Sequence, residues 1–292
     1  MISYRFTLWS TTAILAIATL AGCGRGGDRS ATTLQIKGSD TMVNLTQAWA
    51  EEYMKTHPGI SIAVTGGGSG TGITSMLKNT CDLAQVSREM KDGEIDMARK
   101  KGIEPHKVVV ALDGLAVIVH PANPVSQLTI DQLADIYIGR TTNWNQLGGP
   151  DAKIVLLSRE VNSGTHVYFK EHVLRHGNPG AKEEFTPNAL LLPSSQAISD
   201  EASQNPNAIG YFGMGYVTKA VKVLKIAMNR ESPYILPTIA TTQDNTYPIS
   251  RPLIFYSKGE PAGLVKEFLG FVLSADGQRV VQKMDFVPVA HG

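Results

Sequence analysis

Three short polar segments carry the residue types that chemistry would need. "KGSDTM" (37–42), "GGSGTGI" (67–73) and "SREVNSGTHVYF" (158–169) each follow an apolar run and precede a helix-like pattern. Each would set serine and threonine hydroxyls, together with bare backbone N–H groups, at the start of a helix. A helix N-terminus carries about half a positive charge and several unpaired donors, which makes it a seat for an anion. Three of them meeting would supply about +1.5 on the same figure, and Arg159 adds a guanidinium. The combination suits a small, multiply charged oxyanion. Singly, each segment reads as ordinary capping, because Ser, Thr and Asp are the commonest N-caps; it is their joint occurrence that points to a site.

Other chemistries fit less well. Five glycines crowd residues 66–72, yet Ile73 stands where a P-loop needs lysine, and the first lysine downstream is Lys78. A nucleophile elbow fails as well, since Thr71 occupies the position of its last glycine after Ser69. His172 and His176 are four apart on a helix-like stretch, but no HExxH or third ligand accompanies them, so a solvated face is expected there and no metal or cofactor. His166 lies inside the third segment and is expected to face solvent from the first helical turn, with an approach to the ligand as the alternative.

The elements that must position these segments alternate in type. Apolar runs at 34–38, 60–66, 82–87, 107–112, 115–120, 153–158 and 208–212 are separated by helix-like stretches, the pattern of an α/β fold. In the first helix Met42, Leu45, Trp49 and Tyr53 fall on one face, and "HPGI" (57–60) ends it. Trp49 and Trp144 read as core. A lobe boundary is expected near Asp113-Gly114, giving lobe I as 34–112 with 246–292 and lobe II as 113–245.

The N-terminus reads as an export signal. Arg5 precedes an apolar stretch too short to span a bilayer comfortably, and "LAGC" ends at Cys23. That tetrapeptide resembles the bacterial lipobox, which implies cleavage after residue 22 and lipid on Cys23. Residues 23–33 then read as a tether, so attachment to a membrane would be through the lipid alone. The chain has 27 basic and 26 acidic residues; loss of the signal removes only Arg5, leaving the charges balanced and no field that would draw nucleic acid. Cys81 is then the remaining cysteine, expected to be a buried small residue outside any disulfide.

Taken in order, "IKGSDTM", "GGGSGTGI", "DLAQVSREMK", "DGLAVIVHPANP", "LADIYIGRTTNW", "SREVNSGTHVYF", "AIGYFGMGYV" and "RPLIFYSKG" resemble the phosphate-binding lipoproteins of phosphate-specific ABC transporters across residues 34–292. The resemblance implies a two-lobe periplasmic-binding-protein fold, each lobe a mixed sheet flanked by helices, with crossover hinge segments. It also implies inorganic phosphate as ligand, permease subunits as partners, a monomeric receptor outside the cytoplasm, and no catalysis. The contacts it implies are Thr41 and the Met42 N–H, with Ser39 and Asp40 beside them; then Ser69; then Arg159, Ser163, Gly164 and Thr165. One branch of the family has an aspartate at the position of Ser87, accepting the phosphate proton. Serine there leaves that acceptor open, and Asp40 can be either the acceptor or a plain helix cap. Arg88 can be a second ligand or a hinge-side ion pair. A phosphate-ester hydrolase, or a sensing or adhesive protein on this fold, is the alternative function; the first would need a nucleophile with its base or a metal pair, and the sequence displays neither.

Overall fold

The computed structural model describes residues 32–289. The signal segment, Cys23 and the tether up to residue 31 lie outside the described residues. The first strand starts at Thr32, two residues inside the expected tether, because Thr32 and Thr33 already pair in parallel with Ile60 and Ser61.

The strands are β1 (Thr32–Gly38), β2 (Ile60–Thr65), β3 (Leu83–Val86), β4 (His106–Val119), β5 (Gln127–Thr129), β6 (Val155–Arg159), β7 (Leu190–Leu192), β8 (Ala208–Gly213), β9 (Lys222–Val223), β10 (Lys225–Ala227) and β11 (Ser250–Ser257). The helices are α1 (Asp40–Thr56), α2 (Ser69–Leu77), α3 (Asp92–Lys100), α4 (Ile130–Tyr137), α5 (Gly164–Phe169), α6 (Ser195–Gln204), α7 (Ile239–Gln243), α8 (Gly263–Leu273) and α9 (Ala275–Lys283). One mixed sheet runs β2-β1-β3-β11-β4-β8-β6-β7, with β9 on β4, and a small parallel pair joins β10 to β5.

The expected apolar face of α1 is buried: Met42, Leu45, Trp49 and Tyr53 pack with Leu34, Ile36, Phe255 and Phe268. A second core gathers Leu115, Val117, Tyr137, Trp144, Phe169 and Tyr211. A third surrounds Cys81, whose thiol burial pushes up to about 11, in keeping with an inert core cysteine.

The apolar runs at 107–112 and 115–120 join in the single strand β4. Its first part pairs antiparallel with β11 as far as Gly114, and from Leu115 it pairs with β8. Asp113 does not turn the chain, because its carboxylate has partners inside the fold: Oδ1 accepts the Met214 N–H at 3.0 Å, and Oδ2 accepts from Arg251.

Candidate functional site

All three polar segments form strand-to-helix junctions: β1 to α1, β2 to α2, and β6 to α5. Ser39, Gly68 and Ser163 are the N-caps of α1, α2 and α5. Ser163 Oγ accepts from the N–H groups of Thr165 and His166, whereas Ser39 makes no side-chain capping bond and is free to turn inward. α5 continues into a π-helical turn at Lys170–Leu174.

The junctions meet. Ser39 Oγ donates to Ser87 Oγ at 2.9 Å, Ser69 Oγ lies 3.5 Å from the same atom, and Ser69 Oγ accepts the Ser87 N–H at 3.1 Å. Thr41 Oγ1 and Thr165 Oγ1 are 2.9 Å apart. A Cβ on Gly164 would sit 2.2 Å from Ser69 Oγ and 2.7 Å from Ser87 Oγ, so the first turn of α5 touches both hydroxyls. Ser39, Thr41, Met42, Ser69, Ser87, Arg159, Ser163, Gly164 and Thr165 are all buried.

The Gly-rich loop has a partner of its own. Asn162 Nδ2 donates to the Gly67 carbonyl at 2.8 Å, and the Asn162 carbonyl accepts the Gly70 N–H at 3.1 Å. Gly68, at φ +89°, leaves no room for a side chain, since a Cβ there would lie 2.8 Å from the Asn162 oxygen. The bare backbone of 66–72 therefore holds the loop that precedes α5.

Two arginines and two aspartates enclose the hydroxyls. Arg159 Nη2 donates to Asp40 Oδ2 at 2.8 Å and to the Pro193 carbonyl at 2.8 Å; its Nε reaches the Leu192 carbonyl and its Nη1 reaches Ser195 Oγ. Burial pulls the Arg159 guanidinium down from its usual range, and Asp40 opposes that. Asp113 and Arg251 form the second pair, 2.8 Å apart. Burial pushes the Asp113 carboxyl up, and Arg251 and the Met214 N–H work against it. Formally the two pairs cancel, so an anion here would be held by hydroxyls, amides and helix ends rather than by surplus charge.

Open alternatives are resolved here, and one expectation, that for His166, changes. Asp40 is the first residue of α1 and not its cap, for Ser39 holds that position; its Oδ1 instead accepts the Gly67 N–H at 2.9 Å. Arg88 is an ion pair: Nη1 and Nη2 each donate to Glu94, at 2.8 and 2.7 Å. His172 stacks on Tyr168, and no metal-holding cluster occurs among the described residues. His166 does not face solvent. Its Nδ1 lies 3.3 Å from Ser158 Oγ and its ring stacks on Phe185 with centroids 4.3 Å apart, because Phe185, nineteen residues away, covers that side of α5.

Burial drives the His166 pKa down to about 4. The unfolded chain, with an ordinary histidine near 6.5, takes up the proton first. Stability from this residue is thus complete above about pH 6.5 and is lost as pH falls from there through about 4. Thermal melts between pH 4 and 7 should fall more steeply for wild type than for His166→Gln; parallel curves would show that the ring is not buried neutral.

Asp113 and Arg251 are the residues that the sequence reading did not assign to the site. A charge inside each of two apolar strands, "ALDGLAVIV" and "RPLIFY", was the available signal.

Residues 24–276 match the PBP superfamily domain. Phosphate-binding protein PstS of Pseudomonas aeruginosa is 36% identical over 269 residues, covering 86% of this chain and 81% of that protein. The chain belongs to the PBP superfamily, in the family of the PstS proteins. Another PstS relative, from Bacillus subtilis, is 34% identical over 268 residues, 91% of this chain and 83% of that one. Among solved structures, a candidate phosphate ABC transporter substrate-binding protein from Clostridium perfringens, with bound phosphate, superposes with a TM-score of 0.79 at 33% identity over 89% of this chain and all of that one. An ABC-type phosphate transport receptor from Vibrio cholerae gives 0.70 at 31% identity, covering 88% of this chain and 100% of that one. The two-lobe α/β architecture expected from the motifs is that of these PstS-family structures.

Proposed function

We propose that the protein is an exported receptor that binds inorganic phosphate and delivers it to the permease of an ABC transporter. The observation that carries this reading is the meeting of three helix N-terminal junctions in one buried cluster of Ser39, Thr41, Ser69, Ser87, Ser163 and Thr165, on a fold shared with relatives named for phosphate binding. In this reading the Gly164 N–H and the hydroxyls wrap the oxygens, while Arg159 supplies the charge-assisted bonds; the Met42 N–H, expected as a contact, instead donates to the Ser39 carbonyl at 3.1 Å in the first turn of α1. Asp40 accepts the proton that phosphate carries near neutral pH. Each of its oxygens has one partner, the Gly67 N–H or Arg159, and keeps a further lone pair.

The lobes are 34–112 with 246–292, and 113–245, closing on the ligand. A hydrolytic role is disfavoured: the hydroxyls of Ser39, Ser69 and Ser87 bond one another, and no base is paired with them among the described residues. Titration calorimetry with phosphate, sulfate, arsenate and molybdate tests the function. Phosphate is expected to bind and sulfate to be rejected, because sulfate has no proton for Asp40 and would face its lone pairs. No heat with phosphate would overturn the reading, and sulfate binding as tightly would remove the acceptor.

The anchor is lipid on Cys23, and the protein acts as a monomer. No helix among the described residues is long and apolar enough to cross a membrane. Cys23→Ser should release the expressed protein from the membrane fraction on sedimentation. Continued sedimentation with membranes would refute the anchor.

A further inference from the structure

Beside the hydroxyl cluster lies an ion pair for which the phosphate reading, as stated, has no use. Asp113 sits on β4 just before the strand changes partners, and Arg251 is the second residue of β11; both side chains are fully buried. Asp113 Oδ2 accepts from Arg251 Nε at 3.0 Å and from Nη2 at 2.8 Å. The rest of the guanidinium is directed at the site. Nη1 donates to the Ser87 carbonyl at 3.1 Å, and Nη2 reaches Thr165 Oγ1 at 3.0 Å and Thr41 Oγ1 at 3.4 Å. One planar fork on β11 thus engages the Ser87 segment after β3, α1 and α5 while β4 holds it in place.

The consequence concerns the direction of the hydroxyl protons. Thr41 and Thr165 are in hydrogen-bond contact, so one donates to the other and a single hydroxyl proton of the pair is left. A guanidinium has only donors. It therefore fills an acceptor position on the pair, and the remaining proton must point elsewhere, where an anion can take it. Whichever way the pair runs, one proton is spare; without the fork the lone pair that it claims is free to face an anion and repel it.

We propose that Arg251, held by Asp113, is a positioning residue for phosphate binding: it leaves the spare hydroxyl proton of the Thr41–Thr165 pair to the ligand and ties α1, α5 and the Ser87 segment after β3 together around it. The inference rests on the phosphate-receptor reading. Lysine is the informative replacement, since it keeps a cation beside Asp113 but is a point charge that cannot serve all of these partners in one plane.

The experiment measures phosphate affinity by calorimetry, and melting, for wild type, R251K, T165V and the double variant. R251K should bind about tenfold or more weakly, the scale of one lost charged hydrogen bond. If Arg251 acts through the threonine hydroxyl, its effect and that of T165V overlap, and the double variant binds within about threefold of the weaker single one. Wild-type affinity in R251K, or losses that simply multiply, would overturn the proposal while leaving phosphate binding intact. A wild-type protein that takes up no phosphate removes the receptor reading and this inference with it. Should R251K not fold, the neutral pair R251Q with D113N replaces it, because it leaves no uncompensated buried charge. That protein should fold and bind weakly. Tight binding by it, or failure of both versions to fold, would mark the pair as purely structural and overturn the proposal.

Discussion

Arg159→Ala is expected to weaken phosphate binding by roughly 10- to 150-fold and to lower the melting temperature as well. Hydrogen bonds to charged groups contribute about 1.5–3 kcal/mol each, which converts to that range at about 1.4 kcal/mol per tenfold. The structure adds the second effect. Four of the five Arg159 N–H groups already have partners: Asp40 and the Pro193 carbonyl on Nη2, the Leu192 carbonyl on Nε, and Ser195 on Nη1. One Nη1 N–H is left for an anion. Alanine therefore removes the ligand contact, orphans the Pro193 carbonyl and takes the cation away from Asp40, while the Leu192 carbonyl keeps the Glu160 N–H and Asp40 Oδ1 keeps the Gly67 N–H. Breaking a fully buried pair costs about 3–5 kcal/mol; Asp40 keeps 17% of its side chain exposed, so the loss here should fall below that range. Calorimetry and thermal melting read the two effects separately. A variant that melts low yet binds phosphate at wild-type affinity would place Arg159 in the scaffold and outside the site.

Gly164→Ala should separate the same two quantities in the opposite sense. Gly164 is not among the glycines with positive φ, so alanine fits its backbone conformation. The added methyl would nevertheless meet Ser69 Oγ at 2.2 Å and Ser87 Oγ at 2.7 Å, both on short side chains with no accessible surface to retreat into. Overpacking of this kind costs about 1–3 kcal/mol, or roughly 5- to 150-fold in affinity. On the proposal that the lobes part in the free protein, that cost should appear only when α5 comes up against α2 and the Ser87 segment. The free variant should melt near wild type, bind phosphate weakly, and contract less on adding phosphate in small-angle scattering. Wild-type affinity in this variant would show that the three segments do not meet in the bound form.

The parts of the site that could be read from sequence are those made within a few residues of chain. A strand, a polar cap and a helix start are local events, so the junctions at Ser39, Ser69 and Ser163 could be recognised before any tertiary contact was known. Ser87 was placed by the resemblance alone. What escaped depends on distant segments. Asp113 and Arg251 are 138 residues apart, and nothing near either predicts the other. Asp113 next to a glycine, between two apolar runs, reads as a lobe boundary, and only its burial against Arg251 and the Met214 N–H explains why one strand runs through it. Whether Asp40 is an acceptor or a cap is not legible locally, because the Gly67 N–H and Arg159, which claim its oxygens, lie 27 and 119 residues away. His166 reads as solvent-facing for the same reason, since Phe185 is brought over it by the loop that follows the π-turn.

β4 has a mechanical consequence. A strand that passes without a break from the β11 side of the sheet to the β8 side has no free swivel point, because its backbone groups are bonded as far as Gly114 on one flank and from Leu115 on the other. Any parting of the two halves must bend and twist this strand over a short length, as a leaf spring flexes, with a restoring force that grows with the angle. Opening would then be limited in amplitude and would recoil by itself, and the stiffness of a few residues around Asp113 would set how long a captured ion stays enclosed.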